Sequence, residues 1–150
     1  MPLDATENRC LDLILASLAT IGTPPSGWLT GPDVIEGVPG SAIEAKDTPA
    51  IFVEHSRTDP NEAGNVGPSE HGVSLFYAFR CAAVDSRTAD KLKSDVCRAL
   101  FTTGEGSISA AFGTVPYLEQ YGHEAGMSNA GVTVKTLLVG VDTTLSHSNP

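Results

Sequence analysis

Apolar residues recur at spacings of three and four through residues 4–21, where Leu11, Ile14, Leu15, Leu18 and Ile21 mark one face of an amphipathic helix. Asp4 and Glu7 read as a capping-box-like start, and Gly22 with Pro24 and Pro25 as the stop. The period is lost over residues 22–48, which hold many Gly and Pro and read as an ordered loop wrapped on the core, with "DVIEGV" as a short edge strand.

A period of two takes over at "PAIFVEHS" (49–56), where Ile51, Val53 and His55 alternate with Ala50, Phe52 and Glu54, giving a strand with apolar residues on both faces. Residues 57–72, "RTDPNEAGNVGPSEHG", read as a long polar mobile loop. The strongest signal follows in "GVSLFYAFRCAAVDSRTADKLKSDVCRALF", residues 72–101. Val73, Leu75, Tyr77, Phe79, Cys81 and Ala83 share one strand face; Ser74, Phe76, Ala78, Arg80, Ala82 and Val84 share the other. Asp85 or Ser86 then caps a helix whose stripe is Ala89, Leu92, Val96, Ala99 and Leu100.

The pattern weakens over 104–130, although "TVPYLEQYG" alternates as a strand. In "GVTVKTLLVGVD" Val132 and Val134 share one face, whereas Leu137, Val139 and Val141 share the other. The apolar phase therefore inverts near Thr136, which predicts a bulge or a strand covered on different sides along its length. The tail 143–150 reads as frayed. This order predicts a single α+β domain over 1–150: an antiparallel or mixed sheet of about four strands, two helices on one face, and a long β-hairpin loop.

The 150 residues suffice for one core. Eighteen acidic against nine basic residues give a formal charge of −9, which argues against a stable grip on nucleic-acid phosphates. Cys10, Cys81 and Cys97 lack paired spacing and read as buried thiols of a reducing compartment. No apolar run is long enough to cross a membrane, and the N-terminus has no basic leader, so a soluble chain made in the cytoplasm is expected.

Chemistry-bearing motifs are sparse. The pairs Glu54-His55, Glu70-His71 and His123-Glu124 offer zinc-type ligands, but neighbours on a strand point to opposite faces and cannot easily share one ion. "GMSNAG" has Ala130 where a nucleophile elbow needs Gly. "GPSEHG" sets Ser69 near His71 on a loop without rigid support. "GTPPSG" lacks the Gly-Lys-Ser/Thr ending of a phosphate cradle. Trp28 reads either as a plug over the core or as an interface anchor. No catalytic residue, metal or cofactor is assigned; a hydrolase reading would need Ser128 or Ser69 with His71 or His123.

The N-terminal helix, the strand "PAIFVEH", the strand "VSLFYAFRCAAV", the helix "SRTADKLKSDVCRALF" and the closing "GVTVKTLLVGVD" together resemble the tail terminator and minor tail proteins of long-tailed bacteriophages, of the lambda type. The resemblance covers roughly 4–20 and 49–142 and is one of pattern and order. It implies a structural protein without an active site, forming a six-fold ring that caps the tail tube, stops its polymerisation and presents a surface for the filled head. The implied partners are further copies of the chain, the tail tube protein and a head-completion or neck protein. The implied location is the virion, at the head-to-tail joint, after assembly in the host cytoplasm.

The pattern itself leaves apolar residues on the sheet face away from the helices, and large exposed patches mark interfaces. Phe52, Phe76, Ala78, Arg80, Ala82 and Val84 are therefore the expected subunit interface, with Arg57, Asp59, Glu62, Glu70 and His71 as contacts of the loop with a neighbouring ring. On this reading Phe76→Glu blocks assembly and spares the fold. A two-fold dimeric binding module of the α+β type is the alternative, and would bury that same face against one partner.

Overall fold

The computed structural model describes residues 5–22, 31–39, 43–67, 70–124 and 131–146. Its elements run α1 (Thr6–Leu18), β1 (Asp33–Glu36), a 3₁₀ turn (Ala45–Asp47), β2 (Ala50–Gly67), β3 (Glu70–Ala83), α2 (Ser86–Leu100), α3 (Ile108–Phe112), β4 (Tyr117–Glu124) and β5 (Thr133–Ser146). The α+β expectation holds, with one strand and one helix more than predicted. The described strands form one sheet in the order β1-β2-β3-β5-β4, mixed because β1 runs parallel to β2 while every other pair is antiparallel.

The odd-numbered face of β3 enters the main core as its alternation requires. Val73, Leu75, Tyr77, Phe79, Cys81 and Ala83 pack with Cys10, Leu11, Ile14 and Leu18 of α1 and with Ala89, Leu92, Val96 and Leu100 of α2. At the start of α2 the Asp85 carboxylate accepts a 2.7 Å hydrogen bond from the Thr88 amide. α1 has no such cap: Asp4 lies outside the described residues, and the N-cap is Ala5, without a side-chain hydrogen bond. Glu7 turns instead toward the sheet, its backbone oxygen accepting the Tyr77 hydroxyl at 2.6 Å and its carboxylate the Thr58 hydroxyl at 3.3 Å.

The phase inversion in β5 has a definite cause. β3 and β5 pair without interruption from Ala83↔Thr133 to Glu70↔Ser146, so that ladder contains no bulge. Leu137, Val139 and Val141 face the helices, while Val132 and Val134 join Ile43, Ala50, Phe52 and Ala82 in a second apolar cluster on the opposite face. The strand is covered on different sides along its length.

Residues 57–67 and 70–72 are strand and not a mobile loop; 68 and 69 lie outside the described residues. β2 continues to Gly67 and returns from Glu70, and the hairpin is broadened by β5, whose residues 143–146 pair with 70–73 and are not a frayed tail. The polar sequence concealed this because the strand changes phase: Ser56 is an extra residue between the pairs His55↔Tyr77 and Arg57↔Phe76. His55 and Thr58 thereby lie on the same side, with a 2.7 Å hydrogen bond between them, and period-two reading fails across the bulge.

α3, which the sequence reading missed, carries a local signal: Ser107 caps it through the Ala110 amide, and Gly113 ends it in the left-handed region at φ 74°.

Gly140, in register with both Phe76 and Tyr117, leaves room for the Tyr117 ring; a Cβ there would come within 2.4 to 2.6 Å of ring atoms. Gly140→Ala is predicted to push that ring off Phe76 and cost about 1–3 kcal/mol in urea unfolding. An unchanged midpoint contradicts this packing.

Candidate assembly surface

The predicted interface residues do not form a bare face. Phe52 is 8% exposed and Ala82 fully buried, both in one apolar cluster with Ile43, Ala50, Val132 and Val134. Phe76 is 6% exposed: the Arg57 guanidinium lies 4.3 Å above its ring, and Tyr117 meets it edge-on with centroids 6.4 Å apart. Ala78 is half-buried, and Arg80 reaches Glu54 across the strands at 3.1 Å. Among the six, only Val84 is open, at 53%. The expectation of an uncovered second face is thus corrected; parity placed these side chains on the right side but could not reveal what folds over them.

The predicted loop contacts also sit on a built ladder. Arg57 and Asp59 are ion-paired at 2.8 Å, with Arg57 committed to Phe76 as well. Glu62 and Glu70 are exposed, and His71 is partly buried in register with Asn65 and Leu145. The hairpin brings Arg57 and Asp59 together near Phe76 and carries Glu70 and His71 to its far end.

A polar cluster unseen in the sequence anchors this side. The buried Ser74 hydroxyl donates to Asp142 Oδ1 at 2.6 Å, the Tyr117 hydroxyl donates to the same oxygen at 3.2 Å, and Thr114 Oγ1 donates to the Asp142 carbonyl at 2.7 Å. Burial pushes the Tyr117 hydroxyl up from its ordinary value, with the Asp142 charge adding to the effect. These bonds fix the start of β4 over Gly140 and so complete the cover of Phe76. On the helix side, Lys93 is buried with its ammonium 3.9 Å from the Tyr121 ring and 3.4 Å from the Gly122 carbonyl, holding β4 against α2.

Among the described residues, the large apolar side chains most open to solvent lie at the rim. Ile35 and Val38 are exposed at the β1 edge; Val115, Leu118 and Tyr121 at the β4 edge; and Val84 at the end of β3. Tyr121 is 51% exposed although its ring carries Lys93. A groove of about 850 Å³ runs between the outer faces of α1 and α2 and the 102–107 segment, with Arg87, Lys91 and Arg98 on its α2 wall.

Of the histidine–glutamate pairs, Glu54 turns to Arg80 on one face and His55 to Tyr77 on the other, as strand geometry requires. Among the described residues no cluster of three or more metal-ligating side chains occurs, and no helix is long and apolar enough to cross a membrane. Trp28, Ser69 and Ser128 lie outside the described residues, as does the side chain of His123.

Phe76→Glu is therefore predicted to damage the subunit itself, lowering unfolding stability by about 3–5 kcal/mol through loss of the ring and burial of a carboxylate. A variant as stable as the parent contradicts the cover. Burial also raises two thiols, Cys10 to about 11 and Cys81 to about 12, from an ordinary value of 9.0. Raised values mean that the folded chain holds these protons more tightly than the unfolded one. Their contribution is complete below pH 9.0 and is lost as pH rises toward 11–12. Thiol labelling near neutral pH should reach half-buried Cys97 well before Cys10 or Cys81, and equal rates for all three contradict the assignment.

No protein-family model matches the chain, and no curated protein matches it.

Proposed function

We propose that the chain is a structural virion protein that assembles into a six-fold ring at the end of a phage tail tube, halting tube growth and offering the joining surface for the head. The observation that carries this reading is the placement of exposed apolar side chains in separate patches at the two opposite edges of one sheet, Ile35 with Val38 and Leu118 with Tyr121. A two-fold dimer needs one self-complementary patch. Head-to-tail closure needs non-equivalent surfaces on each copy.

Two further features support it. The segments on which the resemblance to tail terminators rests lie in α1, β2, β3, α2 and β5, in that order. A formal charge of −9 suits a ring around a DNA passage, because acidic walls repel phosphates and do not hold them. The β2–β3 hairpin, paired along β3 with β5, supplies an ordered element for contact with the tube or the neck.

Light scattering and negative-stain images of the concentrated chain, alone and with isolated tail tubes, test this. The expected result is ring-shaped particles with the mass of six 15.6 kDa chains, free or on tube ends. A chain that stays monomeric and binds neither tubes nor neck proteins overturns the proposal, and a stable two-chain particle favours the dimeric binding module. Within the proposal, Leu118→Glu should reduce assembly with little change in unfolding midpoint, since its side chain is already 40% exposed. Undiminished assembly removes the β4 edge from the contact.

A further inference from the structure

We draw no further inference here: the strongest candidate, the exposed apolar patch of Val115, Leu118 and Tyr121 along the β4 edge of the sheet, belongs to the assembly surface already described, and nothing in the structure shows what covers it.

Discussion

The strand β3 must be covered on both faces, and much of the rest of the structure follows from that requirement. Its alternation puts six apolar side chains toward the helices and Phe76, Ala78 and Ala82 on the other side. Burying a large side chain is worth about 1.5–3 kcal/mol, so neither face can be left to water without loss. α1 and α2 cover the first face. The second is covered piecemeal: Ile43, Val132 and Val134 over Ala82 and Phe52 at one end, Arg57 and Tyr117 over Phe76 at the other, with the Arg80–Glu54 pair between.

That division moves the surplus apolar surface from the face of the sheet to its rim. A subunit with a bare face would associate face to face. One with exposed side chains at two opposite edges has non-equivalent surfaces, and these suit the closed head-to-tail assembly proposed above. The buried ammonium of Lys93 and the hydroxyl cluster on Asp142 keep β4 in place on either side, so the rim is held by polar contacts that the core alone would not supply.

Much of the fold was legible in the alternation of apolar and polar residues. β3, α2 and the phase inversion in β5 all follow from spacing, because each buries a continuous stripe. The strand continuing past residue 56 was not legible: the bulge at Ser56 breaks the period, and the largely polar run Arg57 to Pro60 is held by pairing with Phe76 to Val73 of β3. The assembly surface was half legible. Parity identified the second face, but Ile43 comes from an aperiodic segment, and Arg57 and Tyr117 cover Phe76 through tertiary geometry that no local pattern encodes. Val84 was the one predicted interface residue found open, since it falls where β3 ends and neither layer reaches it.

Hydroxyl-radical footprinting of the chain kept dilute enough to be monomeric tests the covered second face most directly. The account predicts that Phe52 and Phe76 are oxidised as slowly as fully buried Phe79, while Leu118 and Tyr121 react readily. Oxidation of Phe52 and Phe76 at the rate of Tyr121, lost only when the chain assembles, would contradict it and return the interface to the face of the sheet.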